Sequence, residues 1–368
     1  MGTKIWRHFD FVILLSALLL IGYGMAMIYS ATYQPDKPFL VSDLVIRQAI
    51  YAGVGLTLLV AMLTIDYRLL GNLAPVAYFL TIGLLGVVLV LGRITHGAQR
   101  WIDLGIFPLQ PSEMAKLLLI ITLAKYMADH EEEMTSKIQY VLISLAIVGV
   151  PAGLTFIQPD LGTAVILLII WIGMAVMVGV RLLHWAGLSL AGVLAAPVLW
   201  MGMQGYMRTR LAVFLDPQSD PMGAGYNIIQ ALTAVGSGGL LGRGFTSGTQ
   251  SQLHFLRVQY ADFIFSVLAE ELGFVGACVL FLLIAVLLIR LLKAASLSTE
   301  TFGRLLATGI VTWLAFQTFI NVGMNIRVLP VTGVPLPFIS YGGSSLIMIL
   351  VAIGIIESIV MRHKKIEF

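Results

Sequence analysis

Acidic side chains that interrupt apolar sequence are the first candidates for chemistry in this chain. Asp262 stands in the sequence Tyr-Ala-Asp-Phe-Ile-Phe, close to the start of a long apolar stretch. A carboxylate among aromatic side chains is poorly solvated, and such a group suits general-base catalysis. The alternative is that Asp262 only caps the helix that follows, which is an ordinary use of aspartate. Glu270 and Glu271 follow on the same element, and we expect them to make buried hydrogen bonds between helices.

A second candidate is the charged pair Glu113 and Lys116, which opens another apolar stretch. At a spacing of three residues the two side chains share one helix face and can pair. Pro111 suits the first turn of that helix, and Glu113 suits the positive end of its dipole. Two interpretations stay open. The residues form either a structural ion pair that closes a helix end or a charged wall of a cavity that opens outward.

Arginines and glycines are concentrated in the longest polar stretch of the chain. Arg208 and Arg210 precede Gly-Ser-Gly-Gly at 236–239 and Gly-Arg-Gly at 242–244. Glycine permits close approach of the backbone and arginine binds phosphate, so this segment could cradle a pyrophosphate. The alternative is a compact surface loop that needs glycine for its turns, because no strand–turn–helix unit surrounds it. Residues 226–232 predict a short amphipathic helix lying at the membrane interface.

Two further segments place polar side chains at the ends of apolar stretches. In the tight turn Gln-Pro-Asp, Asp160 could cap the next helix, and Gln158 would face the outer mouth. Residues 329–345 contain three prolines and three glycines. Irregular backbone at membrane depth is tolerated only where protein buries it or where it lines a cavity. We expect Ser340 and Tyr341 to supply hydrogen-bond donors to such a cavity.

The composition decides which elements must position these residues. Of 368 residues, 59% are hydrophobic and 11% are charged, whereas soluble domains average about 45–50% and about 25%. This excludes a cytosolic globular enzyme, a disordered protein and a nucleic-acid binder with a basic patch. The net charge of +3 is too small to indicate an anionic partner. The single cysteine excludes a disulfide framework, and the six histidines lack metal-binding spacing.

The apolar residues are concentrated in ten runs, and a helix needs roughly 20 residues to cross a bilayer. We therefore predict an all-α polytopic membrane protein with about ten transmembrane helices, folded as a single domain over residues 1–368. The first run is too long for the apolar part of a signal peptide, and no small-residue cleavage site follows it. The runs lie near residues 10–30, 48–65, 70–92, 112–128, 138–157, 161–180, 185–204, 270–291, 305–326 and 344–361.

The distribution of positive charge predicts the orientation. Ten spans place both termini on one side, and lysine and arginine are enriched in the short connectors on that side, which predicts that both termini are cytoplasmic. Non-membrane sequence then accumulates outside, in the segments 93–111, 205–263 and 327–343. The longest extracytoplasmic loop, about 205–263, precedes the eighth span. We expect the chemistry on this outer face.

A series of ordered motifs runs along nearly the whole chain. They are RWIDLG at 100–105 leading to QPSE at 110–113, QPDLGT at 158–163, DP at 216–217 through GYN at 225–227, GSGGL at 236–240, DFIF at 262–265 with AEELG at 269–273, and PLPFISYGG at 335–343. In these motifs the chain resembles the SEDS (shape, elongation, division and sporulation) family of bacterial cell-wall polymerases. Within that family, the sequences at 248–253 and 268–272 favour the elongation branch over the division branch.

The resemblance implies an inverting peptidoglycan glycosyltransferase that polymerises lipid II, with a donor linked to undecaprenyl pyrophosphate. It implies Asp262 as the essential carboxylate, which is either the base or a ligand of a divalent cation, Mg²⁺ or Mn²⁺. No cofactor follows with certainty. The groups for the leaving pyrophosphate would be Arg210, Lys116 and Arg243, in that order, with Glu113 orienting Lys116. The expected substrate-binding set is Lys116, Glu113, Arg210, Arg243, Arg100, Gln158, Asp160, Ser340 and Tyr341.

The resemblance also implies a location and partners. The location is the bacterial cytoplasmic membrane, and the partners are membrane lipids and a class B penicillin-binding protein that crosslinks the strands. Two other functions stay open, a lipid II flippase and a non-catalytic scaffold for that partner. A transporter is expected to carry charged or broken-helix sites near mid-membrane, whereas the polar residues here lie at the outer edge. A scaffold would not need Asp262 in an apolar setting.

Overall fold

The protein, seen in a computed structural model, consists mainly of long helices. The structure describes residues 8–33, 41–95, 98–103, 108–220, 223–253, 255–256 and 258–362. Its helices are α1 (Phe11–Ala31), α2 (Asp43–Thr64), α3 (Arg68–Asn72), α4 (Ala74–Leu91), α5 (Pro111–Asp129), α6 (Glu131–Ser136), α7 (Ile138–Ile157), α8 (Leu161–Val178), α9 (Leu182–Gly202), α10 (Gly205–Leu215), α11 (Ala224–Ser237), α12 (Thr249–Gln252), α13 (Ile264–Leu297), α14 (Thr301–Asn325) and α15 (Gly343–Arg362).

A small antiparallel sheet lies between α4 and α5. Its strands are β1 (Arg93–Thr95), β2 (Ala98–Asp103) and β3 (Pro108–Leu109), in the order β1-β2-β3. The register pairs Ile102 with Leu109. This pairing holds β2, and with it Arg100, over the start of α5.

Eight of the described helices are long and apolar enough to cross a membrane, namely α1, α2, α7, α8, α9, α13, α14 and α15. The other two predicted runs form α4, whose apolar part is shorter, and α5, which carries charged residues near both ends. Every predicted run therefore lies on a helix, and the all-α polytopic class is confirmed. The number of crossings and their orientation remain predictions.

The start of α1 and the last turns of α15 lie together. The backbone N–H of Asp10, which caps α1, donates to Oε2 of Glu357 near the end of α15 at 3.2 Å. Arg290, late in α13, lies 3.4 Å from the Asp10 carboxylate. The first and last helices thus begin and end on the same side, as an even number of spans requires.

The centre of the bundle is formed by α14 and α15. In the most apolar 18-residue stretch of each helix, 72% and 83% of the residues are buried, respectively. Helix α15 packs against α2, and α14 packs against α5, α8 and α13. Helix α13 begins at Ile264, earlier than the predicted 270, because acidic residues break the apolar pattern in its first turns. Gly273 interrupts it with φ 65° and ψ −162°, and a Cβ there would clash with the backbone N of Gly242.

The predicted outer segment at about 205–263 contains, in its described part, the helices α10, α11 and α12. The amphipathic helix expected at 226–232 is part of α11, whose buried Ile228, Ala231 and Ala234 pack it against protein. Its neighbour there is α13. The positions that lie outside the described residues are 221–222, 254 and 257 of this segment and 96–97 and 104–107 of the segment 93–111.

Candidate active site

Asp262 lies directly before α13, and its backbone is held by another helix. Its carbonyl accepts hydrogen bonds from the side-chain amides of Asn321 at 3.3 Å and Asn325 at 3.1 Å, both on α14. The N-cap of α13 is Phe263, which makes no side-chain cap. Asp262 is therefore not the N-cap residue of α13, and its side chain is half-buried.

Three charged side chains converge around Gly333, in the segment between α14 and α15. A Cβ added to Gly333 would lie 3.7 Å from each of Arg100 Nη1, Arg210 Nη1 and Asp262 Oδ2. No two of these atoms are therefore farther apart than twice that distance. Gly333 has φ +75°, a backbone conformation that glycine adopts without steric cost. The absence of a side chain leaves space between one carboxylate and two guanidinium groups.

Each arginine of this group is fixed by a backbone carbonyl. Arg210 on α10 donates from Nη1 to the carbonyl of Val331 at 3.0 Å. Arg100 on β2 donates from Nη2 to the carbonyl of Pro159, and its side chain is 12% exposed. Both guanidinium groups are therefore held in place before any ligand binds, which limits the entropy that ligand binding would cost.

Asp160 serves the site indirectly. Its carboxylate caps α8 by accepting from the backbone N–H of Thr163 at 3.3 Å and from its hydroxyl at 2.9 Å. It also lies 3.7 Å from Arg100 Nη1 and is only 3% exposed. The cap interpretation is thus confirmed, and Asp160 in addition orients one of the two arginines.

A small, partly open and mostly apolar depression lies beside Arg210. It is bounded by α10, by the turn between α7 and α8 and by the segment that leads to Gly333. Apolar walls next to a fixed guanidinium group suit a ligand with an anionic group attached to a hydrocarbon part. The lining residues are Pro159, Leu161, Met207, Arg210, Leu211, Pro330, Val331 and Thr332.

Glu113 and Lys116 form a buried ion pair. Lys116 Nζ lies 2.7 Å from Glu113 Oε1, and the two side chains are 0% and 1% exposed. Lys116 also donates to Oε1 of Gln317 at 2.8 Å and lies 5.0 Å above the ring of Trp313. The structure favours the structural ion pair over an open cavity wall. Protein groups enclose the ammonium of Lys116 completely.

Breaking this buried pair should destabilise the protein strongly. We expect Lys116→Met to lower the free energy of unfolding by about 3–5 kcal/mol, because Glu113 keeps a buried charge without its partner. The double variant Glu113→Gln with Lys116→Met should recover most of that loss, and thermal unfolding in detergent measures both. The control Lys125→Met breaks only the exposed pair with Asp129 and should cost about 0–1 kcal/mol. A double variant less stable than Lys116→Met would contradict the account.

Gln158 does not face the outer mouth. Its side chain is 2% exposed, and its Nε2 donates to the carbonyl of Leu85 at 2.8 Å. The amide instead donates to a backbone carbonyl of α4, and the role of Gln158 in substrate binding stays a prediction.

Ser340 and Tyr341 hold the backbone just before Asp262. Ser340 Oγ donates to the carbonyl of Ala261 at 2.7 Å and accepts from the N–H of Leu336 at 2.7 Å. The N–H of Tyr341 donates to the carbonyl of Tyr260 at 2.9 Å. Burial raises the pKa of Tyr341 to about 12, so its hydroxyl is neutral at physiological pH. The hydroxyl of Ser340 is therefore used by the protein itself and is not a free donor to the cavity.

Arg243 lies away from the group at Gly333. It is exposed, its Nε donates to the carbonyl of Ser237 at 3.3 Å and its backbone N–H donates to the carbonyl of Glu270 at 3.0 Å. Glu270 follows Asp262 by eight residues, which is about 12 Å along a helix. The expected role of Arg243 at the pyrophosphate is therefore not supported, since its loop packs further along α13.

Glu270 and Glu271 make the buried hydrogen bonds expected of them. Both side chains are 0% exposed. Glu270 accepts from the backbone N–H groups of Gln250 and Ser251 at 2.7 and 3.1 Å, and Glu271 accepts from the N–H of Thr246 at 3.2 Å. The two carboxylates thus fasten the glycine-rich segment to α13.

Two arginines share the space at Gly333 with the Asp262 carboxylate. Among the described residues no group of three or more His, Cys, Asp and Glu side chains could hold a metal ion. The charged atoms that share the space at Gly333 with the Asp262 carboxylate belong to arginines, which repel a cation. The alternative in which Asp262 acts as a ligand of Mg²⁺ or Mn²⁺ stays open, because Mg²⁺ is commonly held by one or two carboxylates together with the phosphates of a substrate.

The interpretation from sequence missed a row of amides on α14. Gln317, Asn321 and Asn325 follow one another at a spacing of four, within an otherwise apolar run. That spacing places them on one helix face, and polar side chains at membrane depth are expensive unless they have a role. These two facts were available in the sequence and could have identified the residues that hold the carbonyl of Asp262.

The fold and the site together define an all-helical polytopic membrane protein with one carboxylate and two arginines gathered at one end of the bundle. Residues 10–365 match the FtsW/RodA/SpoVE family, described as cell cycle protein. The chain belongs to this family, and the resemblance seen in its motifs is confirmed.

Similarity to characterised relatives extends over nearly the whole chain. The peptidoglycan glycosyltransferase MrdB of Escherichia coli strain K12 is 41% identical over 362 residues, which cover 97% of this chain and 95% of MrdB. The rod shape determining protein RodA of Thermus thermophilus is 29% identical with a TM-score of 0.72, and the match covers 98% of this chain and 99% of RodA. A chain from a structure of a peptidoglycan synthase complex, solved to study coordination of polymerization and crosslinking, is 31% identical with a TM-score of 0.80 and coverage of 96% and 97%.

Proposed function

We propose that this chain polymerises lipid II into glycan strands during cell elongation, with Asp262 as the general base and Arg210 and Arg100 as the pyrophosphate ligands. It is a peptidoglycan glycosyltransferase, as its family and its 41% identity to MrdB support. The observation that carries the assignment of the site is the convergence of one carboxylate and two guanidinium groups on Gly333. Transfer of a sugar from a lipid pyrophosphate needs both kinds of group at one place.

The proposed step is a direct displacement at the anomeric carbon of the donor. The acceptor hydroxyl attacks on the face opposite the pyrophosphate, so that the configuration inverts and a β-1,4 bond forms. Asp262 takes the proton of the hydroxyl while the bond between the anomeric carbon and the pyrophosphate breaks. The electron pair of that bond leaves with the pyrophosphate, whose negative charge Arg210 and Arg100 stabilise.

The lipid part of the substrate agrees with the surroundings of the site. The depression beside Arg210 is lined mostly by apolar side chains, and an apolar surface next to a guanidinium group suits a hydrocarbon chain that carries a pyrophosphate. The polyprenyl tail would remain in the bilayer, and the sugars would meet the outer segments. We place this face outside the cytoplasmic membrane, from the enrichment of positive charge in the opposite connectors.

The proposed protein partner is a class B penicillin-binding protein, which would crosslink the strands that this chain makes. Its support is the similarity to a chain of a peptidoglycan synthase complex, at a TM-score of 0.80. The many exposed apolar side chains of the helices are available to lipids and to a membrane helix of such a partner.

Reconstitution distinguishes the polymerase from a lipid II flippase. The purified chain, in vesicles with its partner and labelled lipid II, should convert the label into polymer that a muramidase digests. A fluorescent lipid II that cannot be elongated reports transport between leaflets in the same vesicles. Transport of that probe without any polymer from labelled lipid II would contradict the proposal and favour the flippase.

Filling the space at Gly333 should impair transfer more than stability. Alanine at a positive φ costs roughly 1–2 kcal/mol, so Gly333→Ala and the control Gly179→Ala should lose similar stability. Gly179 has φ +87° and no atom within 4 Å of an added Cβ, so it reports the backbone strain alone. We expect polymerisation to fall by roughly 10²-fold only in Gly333→Ala, because its Cβ would occupy the space between the three charged groups that the substrate needs. Equal rates in the two variants would contradict convergence at this position.

A further inference from the structure

One face of α14 carries four polar side chains that are completely enclosed. Trp313, Gln317, Asn321 and Asn325 are spaced by four residues, and each is 0% exposed. Residues at this spacing stack along one side of a helix. An amide buried in apolar surroundings costs free energy unless it is hydrogen-bonded. We call Gln317, Asn321 and Asn325 the amide ladder, and these three side chains, in that order, its first, second and third rungs.

The first rung joins the buried ion pair to the segment before α15. Gln317 Oε1 accepts from Lys116 Nζ at 2.8 Å and from the indole N–H of Trp313 at 2.6 Å. Its Nε2 donates to the carbonyl of Pro335 at 2.9 Å. Since Pro335 follows Gly333 by two residues, this rung holds one side of the space at Gly333.

The second rung joins that segment to Asp262. Asn321 Nδ2 donates to the carbonyl of Val334 at 2.8 Å and to the carbonyl of Asp262 at 3.3 Å. Both N–H groups of one amide are thus used on the two segments that meet at Gly333. A leucine of similar size would leave two buried carbonyls without these donors.

The third rung joins Asp262 to the first turn of α13. Asn325 Nδ2 donates to the carbonyl of Asp262 at 3.1 Å, while its Oδ1 accepts from the hydroxyl of Ser266 at 2.6 Å and from its N–H at 3.3 Å. A side-chain amide is the neutral group that can both donate and accept in this way. The carbonyl of Asp262 is therefore held from two successive turns of α14.

We infer that the amide ladder sets the position of the Asp262 carboxylate relative to Arg100 and Arg210, so that Asn321 and Asn325 are positioning residues for glycosyl transfer. This inference rests on the proposed function, in which Asp262 is the base. The ladder ties Asp262 and the Gly333 segment to the same rigid, buried helix. A displacement of about 1 Å of a reacting group can cost about 10²-fold in rate, and the ladder prevents relative movement of these two segments.

The test compares Asn321→Leu with Thr318→Val in the polymerisation assay with labelled lipid II. Thr318 is also buried on α14, but within the described part of the chain its hydroxyl bonds only to the carbonyl of Leu314 on the same helix, at 2.8 Å. We expect Asn321→Leu to lower kcat by about tenfold or more with an unchanged KM for lipid II. Thr318→Val should stay within about twofold of the unaltered protein. Asn321→Ser, which keeps a polar atom but does not reach either carbonyl, should resemble Asn321→Leu.

A double variant separates this inference from the assignment of Asp262. If the ladder acts through Asp262, Asn321→Leu adds little to the loss already caused by Asp262→Asn, because residues acting as a unit are not additive. Full activity of Asp262→Asn would overturn the proposed base itself. If Asp262→Asn is inactive while Asn321→Leu and Asn321→Ser polymerise at the same rate as Thr318→Val, the positioning role of the ladder is overturned. The assignment of Asp262 as the base is then unaffected. Loss of the folded state in both Asn321 variants would also overturn the positioning role, since the ladder would then be structural.

Discussion

Replacement of Asp262 by asparagine is expected to lower the rate of glycan polymerisation by roughly 10²–10⁴-fold, the contribution of a positioned general base. Asparagine keeps the shape of aspartate, and the backbone carbonyl that accepts from Asn321 and Asn325 is unchanged. The site therefore retains its geometry and loses only the group that takes the proton. Initial rates of conversion of labelled lipid II into muramidase-sensitive polymer measure the effect.

A matched carboxylate elsewhere controls for the chemical change itself. Asp129→Asn removes a charge from an exposed pair with Lys125 at the far end of α5, and should leave the rate unchanged. Thermal unfolding of both variants should be close to that of the unaltered protein. An Asp262→Asn protein that keeps more than about a tenth of the original rate would exclude Asp262 as the base, because even a modest general base contributes about 10²-fold.

Removal of the Arg210 charge should have the second largest effect. Arg210→Met keeps much of the apolar stem and is expected to lower kcat by about 10²–10³-fold, the usual loss when one preorganised group for developing charge is removed. Arg210→Lys should recover only part of the rate, since a lysine cannot make the paired contacts of a guanidinium group with phosphate oxygens.

Arg208 is the natural control for Arg210. It lies two residues away on the same helix, so it faces a different direction, and its Nη2 donates to the carbonyl of Met201 at 2.9 Å while the side chain is exposed. Arg208→Met should change the rate by less than about threefold. Equal losses in the two variants would mean that the net charge of the outer segment matters and that the contact at Gly333 does not.

The helices could be predicted from the sequence because their signal is local. A run of about 20 apolar residues is both the cause and the evidence of a membrane helix, and each predicted run lies on one. The pairing of Glu113 with Lys116 followed in the same way from a spacing of three. The acidic pair at Glu270 and Glu271 was expected to be buried, because carboxylates in an apolar run need partners.

The site could be predicted only in part, because its geometry depends on contacts between distant segments. Asp262 and Arg210 were expected to act at one site, but nothing local indicates that both point at Gly333. Gln158 was misplaced for the same reason, since its partner, the carbonyl of Leu85, is 73 residues away. The burial of Lys116 likewise depends on Gln317, which is 201 residues further along the chain.

The most direct test of the shared site is the affinity for undecaprenyl pyrophosphate, measured side by side on Arg210→Met and Asp262→Asn proteins. Since Asp262 Oδ2 and Arg210 Nη1 lie within 3.7 Å of the same point, a pyrophosphate bound there contacts the arginine and is repelled by the carboxylate. The account predicts binding about tenfold or more weaker in Arg210→Met, the loss of one charge-assisted contact, and binding equal or tighter in Asp262→Asn. Weaker binding in Asp262→Asn, or unchanged binding in Arg210→Met, would contradict it.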